Sequence, residues 1–170
     1  MKVKIFLNKS QMKILTQALV ISSLDYCNAL YYGIDSQLMK QLQVIQNRAC
    51  RVIFGLKRRD SVDSYIKELH WLKVEQRIQF KILLLAYKCL NGSAPSYLAD
   101  LLRYSDINSS RDPALKSPVP RTLKGERAFQ CSAARLWNAM PRSVKFCVNV
   151  GNFKRNLKTY LFAQCFRNVN

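Results

Sequence analysis

Apolar residues recur every three or four positions along roughly the first hundred residues, which is the spacing of amphipathic helices. The first such stretch runs from Ile14 through Leu24 to Leu30 and stops before Gly33. Asp35 or Ser36 can cap a second helix that Gly55 ends. Its apolar stripe consists of Leu38, Leu42, Ile45, Ala49 and Val52 or Ile53.

The same spacing predicts three further helical segments before residue 104. A short helix opens at Asp60 or Ser61 and continues to Leu69. A longer helix covers residues 74–90 and ends at Asn91-Gly92, with Ile78, Ile82, Leu85 and Cys89 facing inward. Pro95 then lies in the first turn of a short segment over residues 96–102.

Helical spacing disappears between Ser105 and Gly125, where serine and proline are frequent, and this predicts an extended or mobile linker. It returns at Phe129, stops near Met140-Pro141 and resumes from Asn152 to Phe162. We find no strand-rich region and no internal repeat. The sequence therefore predicts an all-α fold, an irregular helical bundle, with a helical region at 1–104, a linker at 105–125 and a C-terminal helical region at 126–170.

Charge is the strongest compositional signal. Twenty-eight Lys and Arg residues against ten Asp and Glu residues give a formal net charge of +18. Residues 1–104 and residues 105–170 each carry a net +9, so the excess does not belong to a basic tail. This distribution predicts an extended electropositive surface that attracts polyanions, and nucleic acid is the first partner to consider.

Two groups of basic residues are candidates for phosphate contacts. The first lies on the helix face that carries Lys40, Gln43 and Asn47, opposite the apolar stripe, and in the connector after it. A solvated helix face followed by a polar loop is the alternative interpretation, and both stay open. The predicted nucleic-acid-binding residues are Arg48, Arg51, Lys57, Arg58 and Arg59, with Arg121, Lys124 and Arg127 as a second cluster.

Catalytic signatures are not found. The acidic residues are scattered, and the pair Asp60 and Asp63 flanks a helix start, where capping explains it. His70 is the sole histidine and is expected to be structural, and no glycine-rich phosphate loop or nucleophile motif occurs. We expect no catalytic residue, metal site, cofactor or small-molecule substrate.

The six cysteines lie sixteen or more positions apart and form no C-x-x-C pair. Most fall in apolar helical registers, so we expect buried, reduced thiols and a reducing compartment, the nucleus or the cytoplasm. Gln17, Ser22 and Ser23 interrupt the most apolar stretch, so no membrane span is expected. Among the aromatic residues, Trp137 and Phe153 are expected in the core, whereas Tyr104 is open to base stacking.

Several strings, in order, are similar to a known family. They are ALVISSLDYCN (18–28), LQVIQNRACR (42–51), LHWL (69–72), RIQFK (77–81), YKCLNGSAP (87–95), VPR (119–121), LWN (136–138) with Pro141, FK (153–154) and LK (157–158). Over residues 11–166 the chain resembles the C-terminal, thumb and post-thumb region of reverse transcriptases encoded by Jockey-like non-LTR retrotransposons, or LINEs. Residues 1–10 match no part of that pattern, and Lys73 stands where the family usually has proline.

The resemblance implies a helical region that follows the polymerase palm, with the catalytic aspartates and the endonuclease domain upstream. The chain is therefore expected to be a truncated, non-catalytic fragment of a mobile-element RNA-directed DNA polymerase. It would bind RNA or DNA backbone independently of sequence. The alternative is a protein-interaction module, or an inert remnant, that self-associates through surfaces left by the missing palm.

Overall fold

The structure is a computed structural model that describes residues 7–105, 114–122 and 124–166. Helices and the turns between them account for almost all of these residues. Within the described ranges, the one pairing of extended backbone is an isolated antiparallel bridge between Tyr104 and Leu115. The prediction of an all-α fold is confirmed.

The N-terminal helical stretch is interrupted, although the sequence predicts helical spacing through to Leu30. Helix α1 spans Lys9–Thr16 and begins with a capping box, in which the side chains of Asn8 and Gln11 bond each other's backbone N–H groups. A π-helical turn, Gln17–Ile21, leads into α2, Ser22–Asp25. Cys27 then takes a left-handed conformation (φ +48°), and a 3₁₀ turn, Asn28–Tyr31, follows.

Helix α3 spans Ser36–Phe54 and matches the predicted bounds. The Asp35 side chain accepts a hydrogen bond of 2.7 Å from the Gln37 N–H, and Gly55 ends the helix at φ +71°. The predicted apolar stripe is only partly correct. Leu38 and Ile45 are 51% and 42% exposed, while the buried face consists of Gln46, Ala49, Cys50 and Ile53. The helix is rotated toward this face because a buried amide, described below, holds it there.

Helix α4 spans Asp63–Glu68 and α5 spans Val74–Leu90, the latter with its predicted bounds. Ile78, Ile82 and Cys89 face inward as predicted, whereas Leu85 is half-buried. A short helix, α6, covers Ser96–Ala99 after Pro95. Helix α5 packs against α3, α7 and α9, so it is the central element of the fold.

Two of the C-terminal helices pack against α5. A 3₁₀ turn, Gly125–Arg127, precedes α7, Phe129–Ala139, which stops at Met140-Pro141 as predicted. Helix α8 spans Arg142–Lys145, and α9 spans Val150–Phe166, with the Asn149 side chain accepting from the Asn152 N–H at 2.8 Å. In the described residues, no helix combines the length and apolar character needed to cross a membrane.

Two apolar clusters form the core. The larger one joins α5 to α7 and α9, and in it the ring of Tyr87 stacks on Phe153 at 4.1 Å between centroids. Trp137 and Phe153 are buried there, as predicted. The smaller cluster joins α1, α3 and α4 through residues such as Met12, Ile53 and Ile66. Burial of these side chains supplies most of the driving force for folding.

Part of the predicted linker is docked on this core. Leu115 is buried, and the Asn138 side chain accepts from its N–H at 2.8 Å and donates to its carbonyl at 2.9 Å. Pro118 and Val119 have no helical or strand structure, in agreement with the extended backbone predicted for this stretch. The larger core cluster includes residues on both sides of the linker. The division into regions 1–104, 105–125 and 126–170 stays a prediction.

A buried amide network connects α3 to the start of α5. Gln46 is fully buried, and its Nε2 donates to the Leu72 carbonyl at 2.8 Å. Gln43 donates to the Gln46 Oε1 and accepts from the Val74 N–H, each at 2.9 Å. Gln43 also donates to Asn47 at 2.9 Å. These two amides are therefore bonded within the fold, whereas the sequence left open whether their face is solvated or contacts phosphate. Gln43 thereby caps α5, whose first N–H groups have no cap from Lys73.

The cysteines partly follow the prediction. Cys50, Cys89 and Cys131 are buried and Cys147 and Cys165 are half-buried, but Cys27 is exposed. All six are free thiols. Burial raises the pKa of the Cys50 thiol to about 11, well above its ordinary value of 9.0. Burial also raises the pKa of Cys89 and Cys165.

We expect the substitution Gln46→Leu to lower the free energy of unfolding by about 1–3 kcal/mol, because it leaves the Leu72 carbonyl buried without a donor. Urea unfolding followed by circular dichroism measures the change. Gln41→Leu, at an exposed position of the same helix, is the matched control and should stay within about 0.5 kcal/mol of the parent. Equal effects of the two substitutions would contradict a structural role for the buried amide.

We expect alkylation at pH 8 to modify Cys27 rapidly and Cys50 only upon unfolding, because Cys50 is buried and protonated. The folded state keeps the Cys50 proton up to about pH 11, whereas an unfolded thiol loses it near 9.0. The contribution of Cys50 to stability is therefore complete below pH 9 and is lost as the pH rises toward 11. Mass spectrometry of alkylated peptides measures the selectivity of the modification. Unfolding curves of the parent and of Cys50→Ala at pH 8 and 10 measure the change in the free energy of unfolding with pH.

Candidate nucleic-acid interface

The first predicted cluster is built around the end of α3. After Gly55 the Leu56 N–H returns to the Arg51 carbonyl at 3.1 Å, and the chain then turns sharply. The Asp60 N–H donates to the Lys57 carbonyl at 3.2 Å, and the Asp60 carboxylate accepts from the Lys57 N–H at 2.7 Å. Residues 57–60 therefore form a turn closed from both sides, named the basic turn here.

Three adjacent basic side chains project from the basic turn. Lys57, Arg58 and Arg59 are all exposed. Within the described residues, none of the three has an ion-pair partner within 4.0 Å. A fixed backbone with exposed, unpaired cations is the arrangement that contacts phosphate without an ordering cost for the loop.

Arg51 has a different position from the rest of its predicted cluster. It is half-buried, and its Nη2 donates to the Asp60 carbonyl at 3.1 Å. This contact joins the last turn of α3 to the basic turn, so Arg51 positions the turn from beneath. Arg48 lies one helical turn earlier, and its side chain is exposed.

The second predicted cluster lies on the segment before α7. Arg121 and Lys124 are exposed, and the Thr122 hydroxyl accepts from the Gly125 N–H at 3.0 Å. Arg127 is also exposed, but the methylenes of its side chain lie against Gly33, where an added Cβ would be 3.2 Å from the Arg127 Cγ. Gly33 has φ +69°, so this contact and its backbone both favour glycine.

The two clusters are near opposite ends of α3. Arg127 contacts Gly33, which precedes the helix, whereas the basic turn follows Gly55. With a rise of 1.5 Å per residue, the helix separates them by about 27 Å. A duplex of about eight base pairs has this length, given a rise of about 3.4 Å per base pair.

The structure also gathers basic residues that the sequence reasoning missed. A pocket of about 490 Å³ opens between α1, α5 and α9 and is named the basic pocket here. Its wall includes Lys13 of α1, Lys81 of α5 and Lys158 of α9, all exposed. Asp25 and Arg77 also line it and form an ion pair with each other, with the Arg77 Nε donating to Asp25 Oδ1 at 2.7 Å.

One signal in the sequence pointed to this pocket. Four of the strings that carry the family resemblance, at 18–28, 69–72, 77–81 and 157–158, contribute side chains to its wall. Their meeting point was not predictable, because they are separated by up to about 140 positions along the chain. His70 is one of these residues. It is exposed, with φ +52°, so its surroundings are not those of a core histidine.

Two other kinds of candidate site are a metal site and an aromatic residue for base stacking. Over residues 7–105, 114–122 and 124–166, no group of three or more His, Cys, Asp or Glu side chains is arranged to hold a metal ion. Tyr104 is 46% exposed, and its partial burial raises the pKa of its hydroxyl. It is therefore accessible to a stacking partner, as the sequence suggested.

Comparison of the chain with protein-family models, with curated proteins and with solved structures gives no match. The resemblance to the C-terminal region of retrotransposon reverse transcriptases therefore stays a prediction from the sequence strings. The all-α class is what the structure establishes.

Proposed function

We propose that the chain is a non-catalytic helical module that binds the phosphate backbone of RNA or DNA independently of sequence, of the kind that follows the palm in Jockey-like retrotransposon reverse transcriptases. The observation that carries this proposal is the basic turn. Its backbone is closed by Asp60 and supported by Arg51, and it presents Lys57, Arg58 and Arg59 to solvent.

Charge supports the same function. A net charge of +18 in 170 residues attracts polyanions over distances longer than a single contact, particularly at low salt. Arg121, Lys124 and Arg127 supply a second contact region. In this proposal Arg48 and the three side chains of the basic turn contact phosphates, while Arg51 holds the turn in place.

We expect the double substitution Arg58→Gln/Arg59→Gln to weaken binding and to lower the salt slope, the change of log Kobs with log salt concentration, by about 1–2 units. Each lost phosphate contact removes about 0.9 of that slope on duplex DNA. Fluorescence anisotropy with a labelled RNA hairpin and a DNA duplex, across a salt series, measures the slope. Two unrelated sequences of the same length should give equal affinities.

The matched control is Lys154→Gln/Arg155→Gln, which removes the same charge from exposed positions of α9. We expect it to change the slope by less than half as much. Equal changes would show that overall charge, and not the basic turn, determines binding. An unchanged slope in the Arg58/Arg59 double variant would overturn the proposed role of the turn.

A second candidate function is self-association, and an exposed apolar face favours it. Ile14 and Leu19 are 67% and 64% exposed on the N-terminal helices. Leu15, Leu19 and Val52 border a shallow, almost wholly apolar groove of about 190 Å³ between these helices and α3. Apolar surface of this kind is typical of an interface, and a second copy of the chain is the occupant we propose.

We expect Leu19→Glu to abolish any concentration-dependent increase in molecular mass, because a carboxylate in this face costs more than the contact gains. Light scattering after size exclusion, from 5 to about 100 µM protein, measures the mass. Ser10→Glu, at an exposed polar position of α1, is the matched control and should leave the mass unchanged. A parent protein that stays monomeric throughout this range rejects the second candidate.

A further inference from the structure

Three features of the basic pocket indicate a ligand site, and the first is its positive charge. Four cations and one carboxylate line it. Since Asp25 is paired with Arg77, the remaining positive charge belongs to Lys13, Lys81 and Lys158. In the described part of the chain, these three lysines have no ion-pair partner within 4.0 Å. Three unpaired lysines on the wall of one pocket are suited to a phosphate.

The second feature is an unused acceptor. Asn28 lines the pocket and is only 2% exposed, yet its Oδ1 has no hydrogen-bond partner. Its Nδ2 makes one long contact of 3.4 Å to Asp25 Oδ1. A buried acceptor without a donor is uncommon and costs about 1–3 kcal/mol, so a ligand with an N–H group would fit here.

The third feature is the shape of the wall. Phe80, His70 and Trp71 are among the residues that line it, and the volume of about 490 Å³ lies in the range of small-molecule sites. Two non-glycine residues with positive φ are described in the chain, Cys27 and His70. One precedes Asn28 and the other lines the pocket, and such strained backbone clusters at functional sites.

We propose that the basic pocket binds one nucleotide, with its phosphate between the lysines and its base against the aromatic wall. In this proposal the buried Asn28 side chain turns toward the bound base. It then accepts from the exocyclic amine of adenine and donates to a neighbouring ring nitrogen, the pairing that asparagine makes with adenine in nucleic-acid complexes. The ligand is either a free adenine nucleotide or an unpaired adenosine in a bound strand. This inference does not depend on the basic turn.

The test is calorimetric titration of the full chain with AMP and with ribose 5-phosphate, which has the same phosphate and no base. We expect AMP to bind about tenfold more tightly, the value of one or two hydrogen bonds together with ring stacking. Equal affinities would identify a plain anion site and overturn the proposal. Arg58→Gln/Arg59→Gln should bind AMP like the parent, which separates this site from the proposed backbone-binding surface.

Variants locate the site. Lys158→Gln should weaken both ligands by about three- to tenfold, whereas Lys154→Gln, one turn earlier on α9 and outside the pocket, should weaken neither. Asn28→Leu should remove the preference for AMP and leave ribose 5-phosphate unaffected. If Asn28→Leu fails to fold, Lys81→Gln replaces it, and an unchanged AMP affinity in both lysine variants overturns the proposal.

Competition distinguishes the two sources of the nucleotide. An RNA hairpin with one bulged adenosine is compared with the same hairpin fully paired, each added to the AMP complex. Displacement by the bulged hairpin alone identifies an unpaired nucleotide of a strand as the ligand. Failure of both hairpins to displace AMP identifies the free nucleotide. Both results support the nucleotide site, whereas equal displacement by the two hairpins assigns the pocket to phosphate backbone and contradicts it.

Discussion

The fold depends on the buried amide of Gln46. A polar group in an apolar interior must be hydrogen-bonded, and Gln46 finds its partners in the Leu72 carbonyl and in Gln43. These bonds fix the rotation of α3 against the chain that enters α5. They also hold Leu72, a residue of the basic pocket wall, in place. One amide thus sets both the packing of the central helix and the position of a ligand-sized cavity.

Regular and irregular backbone occur at different positions in the fold. The larger core, with Tyr87, Trp137 and Phe153 around α5, is apolar and closely packed. Irregular backbone is found outside these core helices, in the π-helical turn 17–21 and at Cys27 and His70. Packing in the surrounding structure offsets the free-energy cost of such strained backbone.

The sequence predicted what is governed locally. The bounds of α3 and α5 followed from Asp35, Gly55 and the Asn91-Gly92 pair, because caps and left-handed glycines act on adjacent residues. The faces of α3 were harder to predict, since Gln43 and Arg51 are directed by Val74 and Asp60, which lie beyond the helix. The position of the basic pocket could not be predicted, because its wall combines four separated strings whose approach depends on tertiary packing.

The contacts of Leu115 have a consequence for how the chain passes from α6 to α7. Asn138 binds both polar groups of the Leu115 backbone. The Ser105 N–H donates to the Ala114 carbonyl, and the Lys116 N–H donates to the Arg103 carbonyl. The chain on either side of residues 106–113 is thereby clamped by contacts that lie outside those residues. Since the entropic cost of joining two fixed ends rises only with the logarithm of the number of residues between them, this clamp can persist when that number changes, by evolution or by engineering.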